Sequence, residues 1–175
     1  MSKLANRMVR AARLEPALYE EVEADRGGLN EAMAVVVLAS VAAGVGTVNT
    51  LGIAGLISMT IGALVGWFVW AYLTYLIGTR LLPEPQTQAD VGQLLRTTGF
   101  AAAPGVLRLL GFLPGVGSLI VLISSIWMLL AMVVAVKQAL DYQGTGKALL
   151  VCLIGFVVQM LVLALIFVAF GAPAY

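Results

Sequence analysis

Outside the first 31 residues, the side chains able to do chemistry are few, and most of them stand in long apolar sequence: Arg96, Arg108, Ser124, Ser125, Gln159 and Cys152. A serine or cysteine nucleophile needs a base to activate it, and the chain contains no histidine, which removes the commonest general base and the commonest transition-metal ligand together. Cys152 has no second cysteine to pair with, so no disulfide within the chain is possible. Glu15, Glu20, Glu21, Glu23 and Asp25 are spaced like a solvated helical face and not like converging metal ligands. Gly144-Thr145-Gly146-Lys147 matches the end of a phosphate-binding loop, but the upstream strand and first glycine are missing, so it reads as a turn. No catalytic, cofactor-binding or metal-binding residue is expected, no cofactor is implied, and the chain reads as non-enzymatic.

The polar residues in apolar sequence have a second use, in packing. Ser58, Gly62 and Gly66 repeat every four residues, as do Ser40 and Gly44. Small residues on one helix face let membrane helices approach closely, so these stripes are expected to pack inside the monomer, with a dimer face as the alternative. Pro104 leaves the carbonyl of Phe100 without its helical donor and predicts a kink or break. Gln159, midway along an apolar run, calls for an interhelical hydrogen bond or a polar cavity. Arg96 and Arg108 are the ionisable side chains placed to enter the bilayer, where charge is costly, and snorkelling to the two surfaces is the economical expectation.

The elements that position these residues follow from composition. The sequence is 61% hydrophobic and 11% charged, with mean hydropathy +1.01, whereas a soluble domain has roughly 25% charged residues. Eleven of the nineteen charges fall in the first 31 residues. The expected organisation is a solvated amphipathic, charged tail over 1–30 followed by a membrane domain over 31–171. A formal net charge of +1 argues against a nucleic-acid partner, which requires a clustered basic excess.

Residues 32–79 are uncharged, too long for one span of roughly 20 residues and sufficient for two. A break at Asn49-Thr50-Leu51-Gly52 divides them into spans of about 32–49 and 53–79. Tyr72 and Tyr75 are placed as interfacial anchors and Trp67 as an interhelical residue. After a polar loop over 80–93, residues 94–113 form a weak third span whose two arginines are 12 residues apart, about 18 Å along a helix. Spans four and five cover about 118–136 and 148–170, joined by a polar turn, and the last is stopped at Gly171-Ala172-Pro173.

In the tail, Lys3, Arg7 and Arg10 share one helical face and Leu4, Met8 and Ala11 another, which fits either a helix lying on an anionic membrane surface or a solvated one. The basic stretch is followed by acidic residues and not by an apolar core with a cleavage site, so no signal peptide is expected. Pro16 starts a second short helix ended by Gly27-Gly28, and Asn30 is the expected N-cap of the first span. With five spans and a cytoplasmic N-terminus, nine of the ten Lys and Arg residues lie inside and Arg108 alone outside. A re-entrant third segment gives eight against two. The five-span arrangement with the C-terminus outside is therefore expected.

Three stretches carry a resemblance: RLEPALYEEVEAD (Arg13 to Asp25), FAAAP (Phe100 to Pro104) and SSIWMLLAMVVAVKQAL (Ser124 to Leu140). In this order, among five apolar segments, the chain resembles the Yip1 family of small multispanning membrane proteins, in particular its bacterial members. The resemblance implies an all-α membrane bundle of about five helices, and in eukaryotic relatives a role in vesicle traffic with prenylated Rab GTPases. The Asp-Leu-Tyr-Gly-Pro type of motif typical of those relatives is missing here, so that role is not carried over. The expected location is the inner membrane of a bacterium. The expected function is a membrane scaffold or accessory subunit whose partners are the lipid bilayer and other membrane proteins or copies of itself; the alternative is a transporter or channel for a small or lipidic solute. Ser58, Gly62, Gly66, Pro104, Arg108 and Gln159 are the candidate packing and interaction residues.

Overall fold

The computed structural model of the chain describes residues 2–45 and 48–170, with the side chains of 48–51, 163 and 166–170 outside the description. All its regular elements are helical: α1 (Lys3–Ala12), α2 (Pro16–Ala24), α3 (Leu29–Gly44), α4 (Val48–Leu76), α5 (Val91–Phe100), a 3-10 segment (Ala103–Phe112), α6 (Gly117–Ala139) and α7 (Thr145–Phe170). Four of these regions are long and apolar enough to cross a membrane: Arg26–Gly44, Gly52–Leu81, Gly117–Ala139 and Thr145–Val162.

The break expected near residue 50 falls at Gly52, whose φ of +66° is open to glycine at little cost and divides α4 into a short first turn and a long span. The first span ends at Gly44, earlier than the expected residue 49. Gly46 and Thr47 lie outside the described residues, as does the expected stop at Gly171-Ala172-Pro173. Asn30 stands inside α3 and is not its cap. Asp25 instead accepts from the Gly27 amide (3.1 Å) and starts the 3-10 turn Arg26–Gly28 that leads into α3.

The third segment is broken as Pro104 requires. α5 closes at Phe100, Ala101 and Ala102 form a turn, and the chain resumes as the 3-10 segment with Pro104 near its start. It nevertheless runs the length of the bundle. At its beginning Gln93 donates to Glu23 of α2 (2.9 Å), and at its end Gly111 lies directly against Gly117, where α6 starts. α6 then returns to the same end as α2, where Gln138 donates to Glu20 (2.9 Å). Five passes result, four of them long apolar helices and one broken. α4 and α7 are tied at the α2 end as well. The single Tyr142 hydroxyl proton is shared between the carbonyls of Leu82 (2.8 Å) and Gly78 (3.1 Å), and Lys147 pairs with Glu84 (3.4 Å). The π-helical turn Ile77–Leu81 presents the Gly78 carbonyl and is followed directly by Leu82, and a Cβ at Gly78 would collide with the end of the Leu140 side chain and force it to shift.

The tail departs most from expectation. α1 and α2 form a hairpin that shares a core with the membrane bundle: Ala11, Leu18, Tyr19 and Val22 are buried in one cluster with Ala32, Val35, Phe100 and Ala131. Leu4 and Met8 pack on the same cluster, so the apolar face of α1 lies neither on lipid nor in water but on protein. The basic face is neutralised from within. The buried Arg7 donates to Glu21 (2.9 Å), Asp25 (2.9 Å) and Glu31 (2.7 Å), and Arg10 donates to Glu15 (3.1 Å) and Glu21 (2.5 Å). The acidic stretch therefore serves as counter-charge to the basic one, which is why the tail folds back on the bundle.

Candidate functional site

Arg96 and Arg108, both expected to snorkel, have different surroundings. Arg96 is buried and turns back to α2, donating to the carbonyls of Val22 (3.0 Å) and Glu23. These are among the last carbonyls of a helix, which lack intrahelical donors and carry the negative end of its dipole. Arg96 thus acts as a C-terminal cap delivered from another segment and locks the hairpin to α5. Trp127 adds a second lock by donating from its indole to the Ala12 carbonyl (2.7 Å).

Around the hairpin the charges are strongly coupled. Burial opposes the charge of Arg7, but hydrogen bonds to Glu31, Asp25 and Glu21 outweigh it and hold the guanidinium well above its ordinary value. The Arg10 hydrogen bond draws the Glu21 carboxyl down, and Arg7 does the same to Asp25. Glu23 behaves oppositely: burial, with Asp141, Glu20 and Asp90 nearby, raises it to about 7, against the pull of Arg96.

Arg108 lies at the other end of the third segment. Its Nη2 donates to Ser125 Oγ (2.9 Å), which itself donates to the Val121 carbonyl (2.6 Å). Among the described residues no carboxylate pairs with it. Arg108 Nε and the indole Nε1 of Trp70 are buried without partners, and a covered donor left unsatisfied costs about 1–3 kcal/mol. The amide of Gln159, expected to bind another helix, has no partner among the described residues. It faces two adjoining cavities of about 260 and 340 Å3, both lined by Arg108, Trp70, Met128, Met132 and Gln159. Gln159 thus lines cavities whose walls are mainly apolar. Pro104 is buried at the break and contributes through the shape of the segment.

The small-residue stripe of α4 is not packed as expected. Gly66 faces the bundle, where an added Cβ would stand 3.8 Å from Gln159 Nε2, but a Cβ at Gly62 would meet nothing within 4 Å. Ser58 is exposed and donates to its own helix at Ala54 (2.9 Å). On the same stretch Ile53, Ile57, Ile61, Val65 and Phe68 are exposed, and the most apolar 18-residue window of α4 has no buried residue. Among the described residues Gly62 thus meets no other helix and Ser58 bonds only within α4, because α4 turns this face away from the bundle. By contrast, Ser40 lines the smaller inner cavity and Gly44 lies tight against Leu56, so the stripe of α3 is internal. The outward direction of α4 could not be read from its sequence, which is apolar on every side. Trp67 is interhelical as expected, donating to Thr98 Oγ1 (3.2 Å).

Compared with known families, the chain matches the model described as Yip1 domain over residues 17–167, from within α2 to near the end of α7. No curated protein and no solved structure matches it.

Proposed function

The chain belongs to the Yip1 family of multipass membrane proteins, and from that premise we propose that it is a non-enzymatic membrane scaffold or accessory subunit that binds a helix of another membrane protein on the open face of α4. The observation that carries this reading is the absence of any buried residue in the most apolar stretch of α4, together with the unoccupied space over Gly62. In lipid, helices associate through close backbone approach at small residues, and Ser58 and Gly62 supply such a place between Ile57, Ile61 and Val65. The hairpin, held along the flank of the bundle by Arg96 and Trp127, provides a charged surface for the same partner. In a bacterial inner membrane the hairpin would face the cytoplasm, in keeping with the nine Lys and Arg residues assigned to that side.

A photo-crosslinking residue at Ile61, activated in native membranes, tests this directly. A discrete protein adduct is expected, diminished when Gly62 is replaced by Leu; crosslinks to lipid alone, with no other protein co-purifying, would remove the reading. The alternative, a transporter or channel for a small or lipidic solute, draws on one observation, the cavities beside Arg108. Flux into liposomes above that of empty vesicles is the result that would bring it forward.

A further inference from the structure

A guanidinium in apolar surroundings is stable when its charge and its donors are met. Arg108 is met in part: Ser125 takes one N–H, while the remaining donors have no partner among the described residues and no carboxylate stands in either adjoining cavity. An arginine side chain carries five N–H donors and a permanent positive charge, so what is missing is an anion with several oxygens. Trp70 and Gln159 add further donors from α4 and α7 to the same walls.

The mouth of the larger cavity identifies the side from which that anion comes. It is bordered by Leu129, Phe156 and Met160, exposed by 63%, 49% and 49%, on the lipid-facing sides of α6 and α7.

We propose that the cavity at Arg108 binds the phosphodiester headgroup of an anionic phospholipid entering from the bilayer between α6 and α7, with Arg108 as its counter-charge and Trp70 and Gln159 as additional donors. The first part of an acyl chain then lies along Leu129, Phe156 and Met160. The site is independent of the α4 face and of any protein partner there.

The test is native mass spectrometry of the full chain in mild detergent, titrated with phosphatidylglycerol or phosphatidylcholine of identical acyl chains. The wild type should retain phosphatidylglycerol about tenfold better, the scale expected for a charge-assisted contact. Arg108→Gln should abolish that preference, Arg108→Lys should keep part of it, and Arg80→Gln, an exposed site outside the cavity, should leave it intact. Met128→Trp fills the cavity from α6 without altering charge and should also abolish retention, so the proposal remains testable if Arg108→Gln does not fold. Equal retention of the two lipids by the wild type, or an undiminished preference in both Arg108→Gln and Met128→Trp, would overturn it. Displacement of the lipid by millimolar inorganic phosphate would overturn the lipid assignment in favour of a soluble anion.

Discussion

Replacing Arg7 by Gln removes the centre of the hairpin while preserving much of its volume. Three carboxylates, of Glu21, Asp25 and Glu31, converge on this buried guanidinium at 2.7 to 2.9 Å; without it Glu21 keeps Arg10, while Asp25 and Glu31 keep only the exposed Lys3 at 3.4 and 3.7 Å. Removing one member of a buried ion pair costs about 3–5 kcal/mol. The three acids are each partly exposed, so water relieves some of the loss and the lower end, about 3 kcal/mol, applies. At 1.4 kcal/mol per decade this is an increase of roughly 150-fold in the population of the undocked hairpin. Hydrogen exchange of the α2 amides in lipid nanodiscs reads that population directly when opening is reversible. Exchange at Tyr19 to Val22 should accelerate by about two orders of magnitude, with α6 and α7 unchanged, and Arg13→Gln, at an exposed position, should have no effect. Acceleration below about threefold would show that the arginine hub adds little and that apolar contacts, with the Arg96 and Trp127 bonds, hold the hairpin.

Other consequences can be checked separately. Glu23 is held at about 7 when docked, above its ordinary value. The docked state therefore binds the extra proton, and docking is tightest below about pH 4.5 and weakens as pH rises through 7. Allowing for partial exposure the change is on the order of 1–2 kcal/mol. Exchange of α2 at pH 5.5 and 8, corrected for intrinsic rates, should show it, and Glu23→Gln should flatten the profile. Gly78→Ala drives a Cβ into Leu140 and should lower stability by about 1–3 kcal/mol, with partial recovery in the double variant carrying Leu140→Ala; thermal unfolding in detergent measures both. Trp127→Phe loses the bond to the Ala12 carbonyl and should cost about 1 kcal/mol, seen as faster exchange confined to the end of α1.

Much of the bundle was legible because bilayer thickness limits the number of arrangements available to a long uncharged run. Runs interrupted by Gly52, by the loop before Asp90 and by the turn before Lys147 give four spans of sufficient length, and only the third segment, 94–113, had to be decided by the distribution of Lys and Arg. The break at Pro104 was legible for a local reason, a missing amide. The directions of helices uniformly apolar around their circumference were not. Ser58, Gly62 and Gly66 are equivalent by spacing, yet Gly66 faces Gln159 while Gly62 faces away from the bundle. No hydrophobic contrast marks the difference, because lipid and protein interior are equally apolar surroundings.

The tail illustrates the opposite failure, in which strong contrast was read too simply. Dense charge suggests solvation when each residue is considered singly, but eleven charges of mixed sign within 31 residues can satisfy one another. Once Arg7 and Arg10 are neutralised by the acids of α2 and Glu31, the hairpin presents Ala11, Leu18, Tyr19 and Val22 as a surface that must be covered, and the bundle covers it. Arg96 completes the arrangement by supplying donors to α2 carbonyls that the hairpin cannot satisfy itself. Its similarity to Arg108 is therefore only in sequence. Arg96 has its negative pole provided by the chain, while Arg108, in the same broken segment, has only Ser125 among the described residues. The difference is what makes the first arginine a fixed part of the fold and leaves the second able to bind something from outside it.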